Sequence, residues 1–149
     1  MPPRFGHYLR LLHSATAQSI NAALATMELT AAQGRIMAFI THRPEPPCAH
    51  DIEEAFHLSH PTVSGILNRL EKKGFIEFRP DPQDRRCKRL YVLPKGMDLD
   101  ETMRSIIHAA DEQMVQNFTP EEQEQFVLLL TKAICNMGID PSKCKPKEE

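Results

Sequence analysis

Apolar residues recur at spacings of three and four along most of this 149-residue chain and change to alternation in one short stretch. A first helix is predicted from Arg4 to Met27 on Tyr8, Leu9, Leu12, Ala15, Ser19, Ala22 and Ala23. Thr30-Ala31-Ala32-Gln33 then has the spacing of a capping box, in which a hydroxyl and an amide satisfy N–H groups that a helix start leaves unpaired. The helix behind it turns Ile36, Met37, Phe39 and Ile40 inward and ends near His42, because Pro44, Pro46 and Pro47 cannot continue it. Ala49–Phe56 reads as a short helix with Ile52, Ala55 and Phe56 on its apolar side. The next helix opens at Ser59-His60-Pro61-Thr62, with Ser59 or His60 as cap and Pro61 tolerated in a first turn. Val63, Ile66, Leu67 and Leu70 give it an i, i+3, i+4, i+7 stripe. Lys72 and Lys73 place cations at the negative end of its dipole, and Gly74 suits a left-handed cap.

Beyond Gly74 the pattern alternates: Ile76 and Phe78 against Glu77 and Arg79, then Leu90, Val92 and Pro94 against Tyr91 and Leu93. Pro80 to Cys87, rich in turn formers and charge, separates them, so two strands join around a polar tip. That tip is longer than a tight turn, and long basic loops carry contacts more often than structure. Helical spacing returns from Lys95 to Asn117 on Leu99, Met103, Ile106, Ile107, Ala110 and Met114. Thr119-Pro120-Glu121-Glu122 is a second capping box, and its helix carries Phe126, Leu129, Leu130, Ala133, Ile134 and Met137 before Gly138 ends it. The fold class expected is mainly α with a small β-hairpin wing: a winged helix-turn-helix lobe over 30–94, flanked by dimerisation helices at 1–29 and 95–138. A loose tail over 139–149 completes what is expected to be one structural domain.

Composition changes the picture little: 41% hydrophobic and 26% charged residues are those of an ordinary globular protein. The longest unbroken apolar stretches, Ile36–Ile40 and Phe126–Leu130, fall far short of the ~20 residues that a membrane span needs. The opening Met-Pro-Pro-Arg-Phe-Gly-His has no apolar signal core, so a cytoplasmic protein without a membrane partner is expected. Cys48, Cys87, Cys135 and Cys144 form no CxxC and are expected to stay reduced. Charge adds more. The formal net charge is −2, yet His60 to Lys95 holds nine Lys or Arg against four acids, a surplus of five positive charges. The remaining nine cations face sixteen acids, so the rest of the chain carries −7. One cationic segment on an anionic protein points to a polyanionic partner.

With Val63, Ile66, Leu67 and Leu70 buried, the rotation of an α-helix places Pro61, Gly65, Asn68 and Lys72 on the opposite side, flanked by Thr62 and Arg69. Small residues near its N-terminus allow close approach to a groove floor, and Ser, Thr and Asn can hydrogen-bond base edges. The run Leu58-Ser59-His60-Pro61-Thr62-Val63-Ser64-Gly65-Ile66-Leu67-Asn68-Arg69-Leu70-Glu71-Lys72-Lys73-Gly74-Phe75-Ile76, followed by Asp81-Pro82-Gln83-Asp84-Arg85-Arg86, resembles the MarR family of bacterial transcriptional regulators. The resemblance covers roughly Tyr8 to Met137, and the Asp-x-x-Asp-x-Arg wing joined to this helix is its most specific part.

The resemblance implies a sequence-specific, double-stranded-DNA-binding regulator, a homodimeric repressor whose first and last helices interlock and whose two lobes reach adjacent major grooves of a pseudo-palindromic operator. It implies a recognition helix over Ser59–Lys73 that presents Ser59, His60, Pro61, Thr62, Ser64, Gly65, Asn68, Arg69 and Lys72. Arg86 is implied as the wing residue of the minor groove, with Asp84 orienting its guanidinium and Arg85, Lys88 and Arg89 giving phosphate contacts or wing support. A small amphipathic, often aromatic, inducer between the dimer helices and the lobe is implied as well. The length and apolarity of the flanking helices argue for a dimer independently, since the lobe is too small to bury them.

Two variants of this reading and two other classes stand beside it. Arg85, Arg86 and Lys88 beside Cys87 are expected to lower its thiol pKa and favour thiolate, which makes a redox-responsive regulator an alternative. The peroxide-sensing branch of the family would hold its cysteine in the first helix, and no cysteine precedes Cys48. Cys48, His50, His57 and His60 raise a metal-responsive variant, but their spacing fits no common ligand pattern, so neither a metal nor a cofactor is expected. A winged-helix protein-interaction module without DNA binding is the other binding class. An enzyme is not expected: no Ser/His/Asp set, phosphate-cradling Gly loop or acid pair at productive spacing is found.

Overall fold

The computed structural model describes residues 4–141. The chain divides into two compact units, Met1–Ala109 and Ala110–Glu149. Its elements run α1 (Phe5–Thr26), α2 (Ala31–Thr41), α3 (Ala49–Phe56), α4 (His60–Lys72), β1 (Ile76–Pro80), β2 (Lys88–Val92), α5 (Pro94–Met114) and α6 (Pro120–Asn136). It is mainly helical with one antiparallel hairpin, the fold class that the spacing predicts. Of the tail expected to be loose, 142–149 lies outside the described residues, as does Cys144. Among the described residues no helix is long and apolar enough to cross a membrane.

In the first unit the core is the inward stripe of each element: Ile36, Met37 and Ile40 from α2, Ile52 from α3, Val63, Leu67 and Leu70 from α4, Phe75 from the turn that follows, Ile76 and Leu90 from the hairpin, and Leu99 from α5. Leu24 and Leu29 close one side, with Phe39 and Ile66 half-buried at the rim. Local sequence fixes the joints. Thr30 and Gln33 form the reciprocal cap of α2, with Thr30 N–H donating to Gln33 Oε1 at 2.9 Å and Gln33 N–H to Thr30 Oγ1 at 3.2 Å. Gly74 adopts φ +78°, the left-handed conformation that lets Phe75 N–H donate back to Leu70 carbonyl at 3.0 Å. The turn drops Phe75 and Ile76 straight into the core.

The alternation through Val92 does not extend to Pro94. That proline opens α5, a position where a missing N–H costs nothing, and Gly96 N–H donates to Leu93 carbonyl at 2.8 Å. Gly96 makes the joint close-packed, because a Cβ there would lie 2.6 Å from Val92 Cγ1 and 2.7 Å from Phe75 carbonyl oxygen. In the second unit α6 starts from the Thr119–Glu122 capping box and packs Phe126 edge-on against Phe118, ring centres 5.6 Å apart. None of its residues is buried.

Candidate nucleic-acid interface

The apolar side of α4 settles what its other side offers. Ser59 is the N-cap, in extended conformation, and its hydroxyl meets Thr62 Oγ1 at 2.9 Å while its carbonyl accepts from Val63 N–H at 3.0 Å. Val63, Leu67 and Leu70 face the core, which turns His60, Pro61, Thr62, Asn68, Arg69 and Lys72 to the exterior, with Ser64 and Gly65 half-buried. A Cβ built on Gly65 meets nothing within 4 Å beyond its chain neighbours and its own helix backbone, so the described residues give no packing reason for a glycine in mid-helix. α4 packs against α3 and β1, so the residues of α4 and the wing belong to one unit.

β1 and β2 pair from Ile76↔Val92 to Pro80↔Lys88. A third segment borders them: Cys48 sits opposite Arg89 in an isolated antiparallel bridge, and Leu90 N–H donates to Pro47 carbonyl at 2.8 Å. The brace of the wing is Asp81, which is buried although it lies next to the tip. Its Oδ2 accepts from Arg89 Nε at 2.7 Å, its Oδ1 accepts from Gln83 N–H at 2.8 Å, and Arg89 Nη1 donates to Pro46 carbonyl at 3.1 Å. The Gln83 N–H, followed by the Arg89 guanidinium, holds the Asp81 carboxyl below its ordinary pKa, and the same pairing holds Arg89 above its own. Of the two roles open to Arg89, the structure gives it wing support.

The tip is closed by backbone bonds. Asp81 N–H donates to Cys87 carbonyl and Cys87 N–H to Asp84 carbonyl, both at 2.9 Å. Asp84 acts on the main chain here: its Oδ1 accepts from Arg86 N–H at 3.0 Å, so it shapes the turn that carries Arg86 rather than gripping the guanidinium. Arg85, Arg86 and Lys88 stand exposed. Lys73, Arg79, Arg89 and Lys95 are committed to the fold: Lys73 donates to Glu28 carbonyl, Arg79 pairs with Glu77 and covers Tyr91, and Lys95 donates to Lys73 carbonyl at 2.7 Å. Among the described residues nothing bonds the charged ends of Arg69, Lys72, Arg85, Arg86 and Lys88. Five uncommitted cations therefore extend from α4 and the wing tip.

One expectation reverses. Cys87 is not driven toward thiolate by its basic neighbours: burial pushes its thiol up, Cys48 beside it pushes the same way, and Arg89 offsets them only in part. Arg85 and Arg86 are close in sequence, but the groups that act on Cys87 are Cys48 of the third segment, Arg89 of β2 and Asp81 behind β1. Among the described residues no three His, Cys, Asp or Glu side chains are grouped to hold a metal ion. Sequence reasoning placed Asp81 in the wing motif but gave it no role, although an Asp whose carboxylate takes the N–H two residues on is a recognisable turn motif. It missed Glu53, which accepts from the His60 ring across the α3–α4 turn.

Elsewhere in this unit a cavity of about 120 Å³ lies between α2 and α5. Met37, Ala38, Leu99, Met103 and Ile107 give it apolar walls. At its edge Asp100 takes His42 Nε2 at 3.0 Å and Arg104 Nη2 at 2.9 Å.

Known proteins share this fold. The sequence profile of the MarR family matches residues 29–88, the span from the start of α2 through the wing. A solved structure from Clostridium acetobutylicum, assigned to the MarR family of transcriptional regulators, is 30% identical and superimposes with a TM-score of 0.72, covering 89% of this chain and 97% of that one. The chain belongs to the MarR family. Staphylococcus aureus MepR, in a crystal structure of its complex with DNA, is 28% identical to this MarR-family chain, with a TM-score of 0.75 over 89% of this chain and 98% of MepR. An uncharacterised helix-turn-helix regulator of Bacillus subtilis, YybA, is 28% identical over 89 residues, 60% of this chain. The chain spans little more than half the length of that relative, 59%.

Proposed function

We propose that this MarR-family chain is a cytoplasmic, non-catalytic repressor that binds a pseudo-palindromic operator as a homodimer, with α4 in the major groove and Arg86 of the wing in the minor groove. The observation that carries this reading is the set of five uncommitted cations on α4 and the wing tip, in a chain that is otherwise anionic. Arg69, Lys72, Arg85 and Lys88 neutralise phosphates, Ser59, His60, Pro61, Thr62, Ser64, Gly65 and Asn68 face base edges, and Asp84 shapes the turn behind Arg86. A narrow A·T-rich minor groove concentrates negative potential and attracts a planar guanidinium. MepR, of the same fold, is seen bound to DNA. Repression follows from occupancy, since a dimer over two half-sites covers the duplex that transcription must open.

The homodimer rests on the terminal helices. On α1, Phe5 is 70% exposed and Tyr8 60%, with Leu9, Leu11 and Leu12 also open. In the second unit α6 exposes Val127, Leu128, Leu129 and Ile134, and Met137 beyond it is 79% exposed. Contiguous apolar side chains of this number are covered by association in a soluble protein. Release falls to a small amphipathic ligand in the cavity between α2 and α5, whose apolar walls take a ring or chain while the Asp100, His42 and Arg104 edge takes its polar end.

The test is a selection from randomised duplexes, followed by titration of the enriched sequence at several salt concentrations. A two-fold-related sequence bound in the nanomolar range, with affinity falling steeply as salt rises, is the expected result. Enrichment of no sequence would leave the protein-interaction module as the better reading.

A further inference from the structure

Glu53 is out of place on a DNA-binding surface. It sits on α3, its side chain is 19% exposed, and its Oε1 lies 2.6 Å from Nδ1 of His60, the first residue of α4. Its second oxygen is 3.6 Å from His50 Nδ1, and His50 in turn reaches Glu54 with Nε2 at 3.2 Å. A carboxylate beside the end of the helix that enters the groove repels the phosphates flanking that groove. By charge alone it weakens binding of any duplex, so its place there calls for a compensating role.

The geometry supplies one. An ionised carboxylate has no hydrogen to give, so the ring must donate from Nδ1. That bond fixes both the side-chain torsions of His60 and the direction of its other nitrogen. The His60 side chain is 73% exposed, and among the described residues nothing engages Nε2. An exposed histidine without such an anchor samples several rotamers and must be ordered on binding. Anchored, it arrives with one nitrogen already aimed. Residues at the start of a recognition helix are those that reach base edges.

We infer that Glu53 is a positioning residue: it holds His60 so that Nε2 reads one base pair in each operator half-site. Glu53 itself touches no base. The inference rests on the DNA-binding reading above and adds to it a determinant of sequence discrimination.

Charge and positioning predict opposite signs, and this makes the test sharp. Every single-base variant of the selected operator half-site, and one unrelated duplex, is titrated against the parent, Glu53→Ala, Glu53→Gln, His60→Ala and the double variant. Glu53→Ala keeps or raises affinity for the unrelated duplex because a negative charge is gone. At one base pair it lowers discrimination by roughly ten-fold, the scale of one base-edge contact. His60→Ala loses discrimination at that same base pair, and the double variant loses no more than His60→Ala does. Glu53→Gln keeps an oxygen for Nδ1 and retains the discrimination. Circular dichroism checks that all variants fold, as substitutions of these surface side chains should.

A Glu53→Ala variant that tightens on all duplexes equally overturns the inference, because Glu53 then acts as charge alone. A His60→Ala variant that weakens all sequences equally also overturns it, by placing the ring on a phosphate. A parent that discriminates no duplex, by contrast, strikes the DNA-binding reading itself, and a parent that discriminates while the two losses simply add strikes only the role of Glu53.

Discussion

Gly65 separates what the fold needs from what the groove needs. It lies in the interior of α4, where glycine costs a helix roughly 1 kcal/mol relative to alanine, through the extra backbone freedom lost on folding. A glycine in a helix can offset that cost by admitting a neighbour, as Gly96 does in the first turn of α5, where a Cβ would lie 2.6 Å from Val92 Cγ1. Gly65 does not, since among the described residues nothing beyond its chain neighbours and the backbone of its own helix lies within 4 Å of where its Cβ would be. Gly65→Ala should therefore stabilise the free protein by about 1 kcal/mol, a rise in Tm of roughly 2–4 °C for a chain of this size. With α4 in the major groove as proposed, the same methyl group meets a groove floor that approaches the helix closely. Forcing a methyl group into a filled contact costs roughly 1–3 kcal/mol, about a five- to 150-fold loss of affinity. The assay pairs thermal unfolding, at fixed protein concentration because the Tm of the proposed dimer depends on it, with fluorescence anisotropy on a labelled operator. A variant that is more stable and binds the operator as well as the parent would refute the placement of α4 against the base edges. A variant that is less stable would refute the account of α4 packing.

Asp81→Asn should loosen the wing without unfolding the core, and hydrogen exchange should rise at the amides of Gln83 and Arg89 while those of α4 keep their protection. Because the folded-state pKa of Asp81 is depressed, its contribution is present above the ordinary carboxylate pKa and lost as pH falls through the lower folded value. An acid titration of wing exchange should show this loss in the parent and not in Asp81→Asn. Gly96→Ala should destabilise the first unit by roughly 1–3 kcal/mol in urea unfolding, since Val92 Cγ1, Phe75 carbonyl and Met37 Cε all lie under 3 Å from the new methyl group. Leu128→Glu, on the exposed apolar side of α6, should shift sedimentation from dimer to monomer at micromolar concentration while leaving the helical circular dichroism signal in place.

Most of the fold was legible because its instructions are local. The Thr30–Gln33 and Thr119–Glu122 boxes, the prolines after His42, the stripe on α4 and the glycine behind it each act over four or five residues. Ser59 and Pro61 likewise mark where α4 begins. What was not legible depends on residues far apart in the chain. Nothing around Pro46–Cys48 signals that it borders β2, because a single bridge to Arg89 leaves no alternation to detect. Pro94 fits the rhythm of an edge strand as well as the first turn of a helix, and only the fit of Gly96 against Phe75 and Val92 decides between them. Cys87 shows the same limit in its chemistry: the cations beside it in sequence suggest thiolate, while burial and a thiol from another segment push the other way. Glu53 was invisible as a site residue since it reads as one more charge on a short solvated helix, and only the turn into α4 brings it to His60.

If α4 and the wing grip DNA together, Arg86 is the residue that reports it most directly, because its side chain is exposed and among the described residues none engages its guanidinium. The measurement is the salt dependence of operator affinity for the parent and Arg86→Ala, with the mass of each in solution taken alongside. The account predicts an unchanged dimer, an affinity at least about ten-fold lower, and a log–log salt slope shallower by roughly two, one lost anionic contact per subunit. An Arg86→Ala dimer with the affinity and the salt slope of the parent would contradict it.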